Sequence, residues 1–131
     1  MNATEISKYE KRSTAWLKKK AQEVFNRWIR ERDKDQSCIS CGSPNTSDAS
    51  HFYSSGHYKH MTFNEDNCHL ACRKCNYFLA GNLIEYRKRL EQKIGAERLK
   101  ALDTLSRQRG VNHSNRFFLI EIISKYGQSR S

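Results

Sequence analysis

A chain of 131 residues fits one domain with a modest core rather than several. Hydrophobic residues make up 37% of it, mean hydropathy is −0.89, and no run of about 18 apolar residues exists, which excludes a membrane-spanning helix. Against 14 acids stand 24 Lys and Arg, a net charge of +10 that favours a polyanionic partner, nucleic acid first, over a protein-interaction module.

The first stretch, MNATEISKYEKRSTAWLKKK, lacks the apolar core of a signal peptide. The chain is therefore expected in a reducing cytoplasm, where paired C-x-x-C motifs indicate metal more than disulfides. From Ser13 to Asp33 the pattern predicts a helix. Leu17, Ala21, Val24 and Trp28, with Phe25 beside them, form its apolar face, and Ser13 is its N-cap. Lys18, Lys19, Arg27 and Arg30 lie on the other face, which suits solvent and DNA equally.

Between Cys38 and Thr62 the chain reads as a turn, a short strand, a loop and a second short strand. Helical periodicity returns after Cys75, with Leu83, Tyr86, Leu90 and Ile94 on one face and Gly95 as the stop. Leu99, Leu102 and Leu105 suggest a further short helix. QRGVNHSNR reads as a loop, RFFLIEIISKYG as a last helix ending at Gly127, and 128–131 as a loose tail. The expected class is α+β, a single domain with an N-terminal helix over 1–35, a zinc-bound core over 36–82 and C-terminal helices over 83–131.

Cys38 and Cys41 form one C-x-x-C pair, and Cys72 and Cys75 the other. Four thiolates complete a tetrahedral zinc site with no open position, so the expected Zn2+ is structural. In a small core such a site contributes on the order of 10 kcal/mol of folding free energy. Cys68, in the apolar CHLA stretch, reads as a small buried hydrophobe outside that site. Between the pairs the chain holds His51, His57, His60, Asn64, Glu65, Asp66, Asn67 and His69, more polar chemistry than a folding knot requires.

The stretches FNRWIRERDKDQSCISCG, DASHF, FNEDNCHLACRKCN and GNLIEYR resemble the His-Me finger, or HNH, nucleases. More closely, they are similar to the NinG/Rap recombination endonucleases of lambdoid phages. The likeness runs from Ser13 to Leu105, with a weaker echo in the final helix. It implies a ββα-metal core pinned by zinc and flanked by helices, in a phage or prophage protein working in the bacterial host cytoplasm. It also implies a catalytic set of the H-N-N kind: His51, Asn67 and Asn76.

In that reading His51 is the general base, neutral imidazole being suited to the task near pH 7. Asn67 holds the His51 loop through backbone hydrogen bonds. Asn76 supplies an oxygen to a catalytic Mg2+ or Mn2+. The superfamily's commonest form has an acidic or histidine ligand just before the base, where this chain has Ser50. Asp48, on the same strand face, is the substitute, with Glu65 and His57 as weaker candidates. The expected substrates are Holliday junctions and D-loops, held by Lys18, Lys19, Arg73, Lys74, Arg87 and Lys88. Two incisions per junction suggest a homodimer, with the apolar face of a long helix as its interface. The alternative is a zinc-stabilised nucleic-acid-binding module without catalysis, in which Asn76 is a plain helix N-cap. His60, His69 and His113 receive no role.

Overall fold

The computed structural model describes residues 3–108 and 115–127. The loop expected at 109–114, His113 with it, and the tail 128–131 lie outside the described residues. The chain divides into two compact units, one of residues 3–28 and 115–127, the other of residues 29–108.

The first unit is helical: α1 (Ala3–Tyr9), α2 (Thr14–Arg32) through Trp28, and α5 (Arg116–Gly127). Ser13 Oγ accepts from Trp16 N at 3.1 Å, the capping bond expected where α2 begins. Asn115 caps α5 in the same way, accepting from Phe117 N at 2.8 Å. The helical spacing of Leu17, Ala21, Val24 and Phe25 buries that stripe, and the Tyr126 ring of α5 meets Phe25 edge-on at 4.9 Å. Within this unit the apolar face of α2 is covered by the chain's own aromatic and aliphatic side chains. The short α1, too weakly patterned to be anticipated, ends where Arg116 donates to the carbonyls of Tyr9 and Glu10 at 3.3 and 2.9 Å.

In the second unit β1 (Asp48–His51) pairs antiparallel with β2 (Cys68–Ala71), in the register Asp48↔Ala71, Ser50↔His69 and His51↔Cys68. The second strand therefore lies after Thr62, not before it. All four residues of β2 are buried, so CHLA shows no alternation to mark it as a strand. Residues 52–67 form a loop with 3-10 turns at Lys59–Met61 and Glu65–Asn67. Then follow α3 (Leu83–Ile94) and α4 (Ala96–Ser106). Tyr86, Leu90 and Ile94 of α3 and Leu99 and Leu102 of α4 pack with Phe52, Met61 and Ala71 into one core, while Leu83, expected inside, is 44% exposed. Gly95, at φ +91° with its N–H on Glu91 O at 2.9 Å, ends α3 as expected. Among the described residues the architecture is α+β, helices with one small two-stranded sheet.

Candidate functional site

The Sγ atoms of Cys38, Cys41, Cys72 and Cys75 lie within 4.8 Å of one another. Two tight turns achieve this. Ser40 N and Cys41 N point at Cys38 Sγ from 3.3 and 3.4 Å, and Cys75 N points at Cys72 Sγ from 3.4 Å. Gly42 closes the first turn at φ +81°, where an added Cβ would meet the Arg89 guanidinium at 2.7 Å. Burial works against the Cys38 thiolate, but backbone N–H groups hold its pKa down to about 7. Burial and the neighbouring sulfurs push Cys75 up to about 12. Four soft donors in mutual contact, one already poised to ionise, could hold a metal ion such as zinc. Cys68 stays outside the cluster, buried, its thiol pushed well up by desolvation.

Beside this cluster β1 and the helical turn Lys74–Phe78 bring two of the expected residues together. Asn76 Nδ2 donates to Asp48 Oδ2 at 3.0 Å, and Arg73 Nε donates to the same oxygen at 2.7 Å. Partial burial would raise the Asp48 pKa, but Arg73, Asn76 and Ser47 together lower it, so the carboxylate is ionised. Asn76 is not an N-cap. It lies inside a turn whose cap is Arg73, its own N–H on Cys72 O at 3.0 Å, and the next helix begins only at Leu83. Ser50, between Asp48 and His51, is buried, and its Oγ has no hydrogen-bond partner among the described residues.

His51 Nε2 sits 2.9 Å from Thr62 O. A carbonyl only accepts, so Nε2 carries the proton and the lone pair lies on Nδ1, 3.9 Å from Cys68 Sγ. Burial lowers the His51 pKa, partly offset by the Thr62 carbonyl, and the ring is neutral at pH 7. Fully buried Asn67 accepts from Tyr53 N at 2.8 Å and donates to Tyr53 O at 2.9 Å and Met61 O at 3.1 Å. It thus ties both ends of the loop that leaves β1 after His51. His57 pairs with Ser54 Oγ at 3.1 Å in an exposed turn, and the Glu65 carbonyl accepts from Arg32 at 2.9 Å.

A second polar cluster escaped the sequence reading. Asp33, fully buried, accepts from Arg32 Nε at 2.8 Å, Lys93 Nζ at 3.0 Å and Leu70 N at 3.1 Å. His69 Nε2 donates to Asp66 O at 2.8 Å, and its Nδ1 accepts from Lys93 at 2.7 Å. That tautomer is neutral, so the 3.9 Å approach of His69 to Asp33 is not an ion pair. The available signal was an acid at a helix C-terminus, where the dipole disfavours negative charge and some partner is required.

The basic residues differ in how far they are committed. Lys18, Lys19 and Lys74 are exposed. Arg87 makes a two-pronged pair with Asp103 at 3.0 and 2.6 Å, and Lys88 reaches Glu85 at 3.2 Å. Arg73 and Lys74 flank an open cleft of about 590 Å³ with Ser43, Thr46 and Ser47 on its walls. No helix among the described residues is long and apolar enough to cross a membrane.

The family profile described as Bacteriophage Lambda NinG protein matches residues 2–130. Protein ninG of Escherichia phage lambda is 37% identical over 108 residues, 81% of this chain and 49% of that protein. Its namesake from Escherichia phage 933W is 35% identical over 119 residues, 86% of this chain and 55% of that protein. That of Salmonella phage P22 is 42% identical over 82 residues, 61% and 40% of the two chains. The chain thus spans about half the length of the curated relatives it matches. No solved structure matches it. With the paired cysteines, DASHF and CRKCN all inside the matched span, the chain belongs to the NinG family of lambdoid phages.

Proposed function

We propose that the chain is a metal-dependent endonuclease of the His-Me finger (HNH) type that cuts branched DNA such as Holliday junctions and D-loops. The observation that carries this reading is the meeting of Asp48 and Asn76 beside the cysteine cluster. A carboxylate and an amide are hard oxygen donors of the kind Mg2+ or Mn2+ takes, and one or two such protein groups suffice. The bound ion supplies Lewis-acid stabilisation of charge on the phosphate and the leaving 3′ oxygen.

The chain's own residues do the rest. His51 takes a proton from water at Nδ1, with Nε2–H fixed on the Thr62 carbonyl. Asn67 keeps the loop, and with it the imidazole, in place. Arg73, with its side chain 65% exposed, exchanges Asp48 for a DNA phosphate, and Lys74 adds charge along the same cleft. The second reading, a zinc-stabilised nucleic-acid-binding module, is favoured by that same Arg73–Asp48 pair, which engages the carboxylate.

Cleavage decides between them. Zinc-loaded wild type and His51→Ala are compared on duplex, fork, D-loop and four-way DNA with Mg2+ or Mn2+. Nicking of the branched substrates by wild type, lost in His51→Ala with zinc content and affinity retained, is the expected result. Wild-type rates in His51→Ala would remove it as the base, and no cleavage by wild type with either ion would leave the binding module.

A further inference from the structure

Residues 77–84 carry an unusual surface. Tyr77 and Phe78 are each 71% exposed, Ile84 is 75% exposed, and Leu79 and Leu83 are also open. Loose chain would collapse such side chains onto the nearest apolar surface, yet this stretch is strapped outward. Gly81 N bonds to Cys75 O at 2.7 Å, and Ser40 Oγ donates to Gly81 O at 2.7 Å. Ala80 is held at φ +49°, where a residue with an apolar Cβ stays only if its surroundings impose it, next to Asn82 at φ +50°, a residue type that takes this region readily. The two rings stand at 86° to one another with centroids 4.9 Å apart. They follow directly on Asn76, the residue that bonds to Asp48.

We propose that Tyr77 and Phe78 form a stacking platform for unpaired bases, which is what directs the site to branched DNA. This rests on the DNA reading above. The charge around the rings chooses the occupant. From Cys72 to Ile84 the chain holds two cations and no acid; Asp48 already pairs with Arg73, while Lys74 is exposed. In a two-fold dimer the patch would meet its own copy and bring the two Lys74 ammonium groups together, whereas a polyanion satisfies Lys74 and can draw Arg73 from Asp48. Exposed aromatic rings beside basic groups stack bases regardless of sequence. Paired duplex shows no free base face in its interior; the single-stranded parts of a fork or D-loop do. Because the platform is fixed before binding, little ordering entropy is lost on contact.

The test uses zinc-loaded protein without added Mg2+ or Mn2+, so that no strand is cut. Forks, single strands and duplexes carry 2-aminopurine at the branch point or mid-duplex. Tyr77→Ala/Phe78→Ala should weaken fork and single-strand binding about tenfold or more and abolish the branch-point fluorescence change. Duplex affinity should stay within about twofold, and Tyr77→Phe/Phe78→Tyr, which keeps both rings, should behave as wild type. Equal losses on fork and duplex would overturn the proposal, as would unchanged DNA binding accompanied by loss of a dimer in sedimentation. A wild type that binds forks through these rings but never cuts them would end the endonuclease reading alone. A wild type that cuts forks while the double variant binds them as tightly would end this one alone.

Discussion

Asn76 Nδ2 donates to Asp48 Oδ2 over 3.0 Å, tying the turn after the second cysteine pair to the first strand. If both side chains turn their oxygens to a divalent ion during catalysis, their removal differs in kind from removal of the base. Asp48→Ala and Asn76→Ala should lose cleavage and regain part of it with raised Mg2+ or with Mn2+. His51→Ala should lose about 10²–10⁴ in rate, with no recovery. Metal titrations of single-turnover rates check this, and identical metal responses in all three variants would refute the assignment.

Zinc should be present at close to one per chain. Cys72→Ser should unfold or aggregate, because β2 and the turn that follows lose their anchor to the first cysteine pair. Elemental analysis and thermal denaturation supply the measurement. A metal-free protein with undiminished stability would be decisive against a structural site.

The His51 pKa is lowered chiefly by burial, and in the proposed mechanism the neutral ring is the base. Activity is therefore full above that pKa and falls as protons are added. The acid limb of kcat/KM should lie below pH about 6.5, the ordinary histidine value. A limb centred above pH 7 would mean that another group titrates. The same lowering means that the unfolded chain takes up the proton first, so this contribution to stability is whole above pH about 6.5 and erodes below it.

Burial opposes the Asp33 carboxylate, yet Arg32 and Lys93 hold its pKa down to about 2. A depressed carboxylate contributes stability above its unfolded pKa of about 4, and that contribution is lost as pH falls toward 2. Asp33→Asn should cost about 3 kcal/mol at pH 7, because Lys93 and Arg32 lose their buried partner. Urea denaturation of both proteins from pH 7 to 3 should show that difference constant above pH about 4 and shrinking below it. Taking the difference cancels zinc release common to both. A difference that is flat to pH 3, or absent at pH 7, would show that the cluster contributes nothing through charge.

Short-range features were legible in the sequence. The Ser13 cap, the stripe from Leu17 to Phe25, the stop at Gly95 and the cysteine pairs each depend on residues within a few positions, where helix periodicity and turn chemistry act. The role of Asn67 on the His51 loop was implied by the family resemblance, and the side chain makes three hydrogen bonds to that loop's backbone. What the sequence left open was decided across distance. The second strand went to CHLA because burial on both faces erases alternation. The α2 stripe packs against α5, where the Tyr126 ring meets Phe25. Asp48 met Asn76 across 28 positions and Asp33 met Lys93 across 60. Buried or half-buried polar groups must find partners, but composition and period do not say which ones. The strand register and the turns around the cysteine cluster bring Asp48 and Asn76 within bonding distance, while Leu70 N of β2 holds Asp33 where Lys93 of α3 reaches it.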